Sequence, residues 1–125
     1  MSPRRGAWLL AIGRAVLGVV VLASPEKVTA AWLGESNART PVVGYLARSL
    51  GARDLALGLA TLHTLDDPVI GPRVQAACAA VDSVDALATV VARKSLPASG
   101  VLGTVAIAGG AAAAGFYLSR VLARA

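Results

Sequence analysis

Residues 69–92 read VIGPRVQAACAAVDSVDALATVVA, an apolar run that carries two aspartates near its middle. Gln75, Cys78, Asp82, Asp85 and Thr89 recur at spacings of 3, 4, 3 and 4, which places all five on one stripe of an α-helix. The positions between them are mostly Ala, Val and Leu, suited to lipid or to packing. A β-barrel strand would alternate apolar and polar residues strictly, and no such alternation is present. A helix needs roughly 20 residues to cross about 30 Å of hydrocarbon, and this run is long enough. It reads as a membrane-crossing helix with a polar inner face.

Proline marks where such runs begin and end. Pro3, Pro25, Pro41, Pro68, Pro72 and Pro97 leave apolar segments at about 7–24, 41–64, 69–92 and 98–119. Proline suits a first helical turn and disfavours a helix interior. The expected fold is therefore all-α: an integral membrane four-helix bundle formed by a single domain over residues 1–125. Between the first two spans, Ser24, Pro25 and Glu26 resemble an N-cap, a first-turn proline and an acidic helix start. Val28, Ala31 and Trp32 then share a face, and Gly34 suits the helix end. Residues 25–33 are read as a short interfacial helix.

Composition agrees. Hydrophobic residues make up 56% of the chain, charged residues 15%, and mean hydropathy is +0.67. Average soluble chains carry roughly 25% charged residues, so a water-soluble globule of this composition would expose large apolar patches. The net charge of +5 forms no continuous stripe and does not indicate nucleic acid. Arg4, Arg5, Lys27, Arg39, Arg73, Arg93, Lys94, Arg120 and Arg124 instead flank the apolar segments, where phospholipid headgroups would meet them. Trp8, Trp32, Tyr45, Phe116 and Tyr117 also fit span edges. A cleaved leader is disfavoured, because Arg14 interrupts the first run and no small-x-small cleavage site follows. An even number of spans puts both termini on one side, and the basic flanks favour the cytoplasmic side of the cell (inner) membrane by one charge.

Arg14, Arg48, Arg53, Asp54, Asp82 and Asp85 fall inside the spans, and their formal charges sum to zero. A single charge at a spanning helix centre costs about 2.5–3.5 kcal/mol on insertion scales unless it is paired or hydrated. Paired charges facing a shared interior would be tolerated. Small-residue seams in spans one and two would let the backbones approach closely enough for pairing. One or more of Arg14, Arg48 and Arg53 is therefore expected to meet Asp54, Asp82 or Asp85. Cys78 cannot form an intramolecular disulfide, being the chain's one cysteine, and reads as a packing residue. His63, Asp66 and Asp67 lack further His or Cys ligands for a metal site. Asp67-Pro68 is more simply an N-cap and first-turn proline. No phosphate loop, nucleophile elbow or zinc signature occurs, and no catalytic residue, metal or obligatory cofactor is assigned.

The stretch Arg48-Ser49-Leu50-Gly51-Ala52-Arg53-Asp54-Leu55-Ala56-Leu57-Gly58 resembles the signature of a family of small four-span membrane proteins of unknown function from high-GC bacteria. Gly13, Arg14, Gly18 and the Ser24-Pro25 turn extend the resemblance, while the third and fourth spans match in character only. A more distant similarity is to DoxX-like four-helix membrane proteins, some associated with quinone or thiol redox systems. The resemblance implies location and fold and supplies no catalytic residues. The leading functional expectation is an accessory or interaction subunit with a buried charge network, whose partners are the bilayer, another membrane protein or a second copy through the glycine-rich fourth span. A small transporter or quinone/proton-linked redox accessory, with bound lipid or quinone, comes second. An acid–base enzyme acting on a lipophilic substrate comes third.

Overall fold

The computed structural model describes all 125 residues, and the chain is entirely helical between short connections. In order, the helices are α1 (Pro3–Ala23), α2 (Pro25–Leu33), α3 (Glu35–Ala38), α4 (Pro41–Thr64), α5 (Ile70–Val91) and α6 (Ala98–Leu122). A single 3-10 turn, Arg93–Ser95, precedes α6. Prolines occupy the first turns of α1, α2 and α4, and Pro97 stands at the N-cap of α6. Each thereby starts a helix where its missing N–H costs nothing. Ser24 occupies the position before α2, but its side chain makes no capping bond. Its backbone N–H instead continues α1 by donating to Val20 O. The one-turn helix α3 was not anticipated from the sequence.

α1, α5 and α6 are long and apolar enough to cross a membrane. α4 has the length, 24 residues, but Arg48, Arg53 and Asp54 set it apart from those three.

Two antiparallel pairs organise the long helices. α1 lies along α4, and α5 along α6, each with far more extensive contact than exists between the pairs. Missing side chains make the first pair close. A Cβ on Gly18 would lie 2.5 Å from Leu55 N, and one on Gly58 would lie 2.8 Å from Ala11 O. Backbone therefore touches backbone along this seam, as small residues permit between apolar helices. In the second pair, Gly115 packs on Ala79 and Gln75, and Ser119 Oγ donates to Pro72 O at 2.8 Å. The start of α1 meets the end of α6, where Gly6 faces Leu118.

Burial runs opposite to that of a water-soluble globule. The buried apolar side chains are mostly alanines, joined by Val21, Cys78 and Leu118. Thr29, Thr61, Gln75, Asp82 and Thr89 are buried with them. Large apolar residues such as Val19, Leu46, Leu59, Ile70, Val84, Leu87 and Leu102 face outward. Small and polar groups are inside, and large apolar groups are outside.

Candidate functional site

Five charged side chains meet where α1, α4 and α5 approach, close to the midpoint of each helix. Arg14 of α1 reaches two carboxylates. Its Nη2 donates to Asp82 Oδ2 of α5, and its Nη1 donates to Asp54 Oδ1 of α4 at 3.4 Å. Arg53 of α4 takes the same Asp54 oxygen from the other side, through Nε at 3.2 Å and Nη2 at 3.1 Å. It also holds Asp85 of α5 by two bonds, Nη1 to Oδ1 at 3.1 Å and Nη2 to Oδ2 at 2.6 Å. The order is Asp82, Arg14, Asp54, Arg53, Asp85. Paired guanidinium bonds of this kind fix geometry as well as charge.

The network is graded in depth. Side-chain exposure is 9% for Arg14 and Asp82 and 13% for Asp54, against 31% for Arg53 and 24% for Asp85. Arg14 and its partners are enclosed, and the Arg53–Asp85 pair lies nearer the opening. Arg48 stands outside: it is exposed on α4 and makes no ion pair. The cause is helical phase. Arg48 precedes Asp54 by six residues, which turns it about 120° away from the face that Asp54 presents.

The polar stripe of α5 faces inward along its length. Cys78 Sγ lies 3.4 Å from Thr61 Oγ1 of α4, and Gln75 packs on α6 beside Gly115. At the other end, Thr89 Oγ1 donates to Asp85 O at 2.8 Å and accepts from Trp32 Nε1 at 3.3 Å. Trp32 thus turns inward, and its carbonyl touches α6 where Gly100 leaves room. That inward turn makes α2 part of the site, a role its sequence pattern did not announce.

A cavity of about 770 Å³ opens above the charge network. α1 contributes Leu9, Leu17 and Val21 to its walls, α2 contributes Val28 and Trp32, and α6 contributes Ile107 with a face of small residues. Arg14, Arg53, Asp54, Asp82 and Asp85 are its only charged lining groups. Its volume lies within the range of about 300–1,000 Å³ typical of small-molecule sites, and apolar walls with a few polar groups are the usual lining.

The His63, Asp66 and Asp67 cluster disperses. His63 is exposed on the last turn of α4, and Asp66 pairs with Arg4. Asp67 Oδ1 accepts from the N–H groups of Val69 and Ile70, both at 2.8 Å. Those bonds, Ile70's first and Val69's second, hold the exposed Asp67 carboxyl below the usual carboxylate range.

Comparison with family models, with curated proteins and with solved structures finds no match. What the Arg48 to Gly58 segment does is therefore read from its geometry. Gly51 and Gly58 form the α1 seam, while Arg53 and Asp54 supply the network.

Proposed function

We propose that this chain is a four-span integral membrane protein that binds a small lipophilic molecule in the cavity above its charge network. α1, α4, α5 and α6 are the spans, and α2 is a short helix packed over one end of the cavity. The cavity carries this reading: apolar walls on three helices converge on a polar floor at mid-helix depth. Outward-facing Leu, Val and Ile support lipid as the surrounding solvent, and the internal pairing of α4's Arg53 and Asp54 lets that helix join the other three. Arg4, Arg5, Arg73, Arg120 and Arg124 favour both termini at the cytoplasmic face of the cell membrane. A binding or carrier role uses the cavity more fully than an accessory subunit would. Proton carriage or redox support would draw on the same floor.

The test is binding of a neutral fluorescent naphthylamine to protein in lipid nanodiscs. Saturable binding that Leu17→Trp abolishes, with the helical content unchanged, supports the cavity. Binding unaltered by Leu17→Trp overturns it. A chain that stays monodisperse in buffer without detergent would overturn the membrane assignment.

A second reading, association through α6, is favoured by one strip. Leu102, Ala106, Gly109, Ala113 and Phe116 recur along α6, and a Cβ on Gly109 would meet no atom of this chain within 4 Å. Small residues unused in internal packing suit a neighbouring helix. Crosslinking between cysteines placed at Ala106 in two copies would support a dimer, whereas uniformly monomeric protein in nanodiscs would exclude it.

A further inference from the structure

The charge network has an odd count. Arg14 and Arg53 face Asp54, Asp82 and Asp85, so two cations oppose three carboxylates and the fully ionised group carries −1. α2 and α6 bring no charged residue to the cavity, and Arg48 lies outside it. An uncompensated charge surrounded by apolar walls is costly, so a proton or another cation must balance it.

The charge count and two open carboxylate oxygens together favour one kind of guest. All three Arg53 nitrogens and both terminal nitrogens of Arg14 donate to aspartates, while Arg14 Nε has no partner. Asp54 and Asp82 each use one oxygen, and no protein group donates to Asp54 Oδ2 or Asp82 Oδ1. No unpartnered side-chain oxygen or nitrogen is sealed from the surface, so both oxygens remain reachable. An anion would add to the excess of carboxylate and face both open acceptor oxygens. A cation would offset that excess and lie against the same two oxygens.

We propose that the cavity binds a lipophilic monovalent cation, an ammonium or phosphonium with an apolar body, whose charge completes the network. This rests on the cavity reading above and adds the ligand's charge. The apolar body would cover Leu9, Leu17, Val21 and Ile107, surface that a small hydrated ion would leave uncovered. Trp32 adds an aromatic ring of the type that attracts cations. In the empty protein a proton held among Asp54, Asp82 and Asp85 balances the charge. Cation entry releases that proton, so one positive charge replaces another.

Tetraphenylphosphonium, its isosteric anion tetraphenylborate and the neutral naphthylamine are titrated into protein in neutral-lipid nanodiscs. The phosphonium is expected to bind saturably, to release protons, and to weaken toward about tenfold per pH unit as the network becomes protonated. Asp85→Asn equalises the charges at two against two. It should reduce phosphonium binding and its pH dependence far more than it reduces naphthylamine binding, so the ratio of the two affinities is the readout. Naphthylamine binding without phosphonium binding would overturn the cation assignment alone. Failure of both probes would overturn the cavity reading with it. Equal binding of phosphonium and borate, or phosphonium binding indifferent to Asp85→Asn, would also overturn the cation assignment. Asp82→Asn, which balances the count on the enclosed side, repeats the test should Asp85→Asn fail to fold.

Discussion

Arg53 holds Asp85 by both ends of its guanidinium, at 3.1 and 2.6 Å, and so joins α4 to α5 across the boundary between the two helix pairs. The two residues should therefore be coupled energetically. A double-mutant cycle with Arg53→Gln and Asp85→Asn, read by thermal unfolding in detergent, is expected to give a coupling of about 1–3 kcal/mol. Partial exposure of the pair argues for the lower half of that range. Additive losses would mean that the bidentate contact contributes no stability.

Arg14 should matter more. It is nearly enclosed and serves both Asp82 and Asp54, so Arg14→Met leaves one carboxylate unpaired and another weakened. A loss of about 3–5 kcal/mol is expected, the usual cost of removing one partner from a buried pair. Arg14→Met with Asp82→Leu should recover much of it, because the stranded charge is gone. Arg48→Ala, by contrast, should shift stability by no more than about 0.5 kcal/mol. Urea-dependent unfolding in mixed micelles would measure all three.

The α1–α4 seam makes a steric prediction. Gly58→Ala would bring a Cβ within 2.8 Å of Ala11 O, backbone that cannot swing aside. The helices must then separate, at a cost of about 1–3 kcal/mol. Gly109→Ala meets open space and should be neutral or slightly stabilising through helix propensity. Equal melting temperatures for the two variants would contradict the close approach.

Asp67 gives a pH signature outside the long helices. Its carboxyl lies below the usual range because Ile70 and Val69 donate to it. A carboxyl depressed on folding contributes stability that is present above its unfolded value and lost as pH falls through its folded value. Asp67→Ala should therefore melt below the parent protein near neutrality. The gap between them should close on acidification through and below the carboxylate range. A gap that stays constant with pH would mean that the charge plays no part in capping.

Much of the helical layout could be read from prolines. Pro25 and Pro41 stand at helix starts, Pro97 at an N-cap, and the expected segment 41–64 coincides with α4. Phase within one helix was equally accessible: Gln75, Cys78, Asp82, Asp85 and Thr89 needed only the 3.6-residue period to share a face. Contacts between helices were not. Which arginine meets which aspartate depends on relative rotation and depth, and these follow from the fit of Gly18, Gly51 and Gly58 against α1 and α4 backbone. Counting Arg48 with the network made its charge balance to zero, although its phase on α4, about 120° from Asp54, already turned it elsewhere. Trp32 was opaque, because an inward and an outward indole leave the same trace in sequence.

The two helix pairs differ from the joint between them in what can alter them. Within each pair, contact runs mainly through small residues packed against backbone, at Gly18 and Gly58 in one and Gly115 in the other. Across the joint, α1 and α4 reach α5 through guanidinium–carboxylate bonds whose strength varies with every charge added or removed. Sensitivity to charge is therefore concentrated at that joint, and the joint borders the cavity floor. Whatever changes the charge there acts on the contact that joins the two pairs.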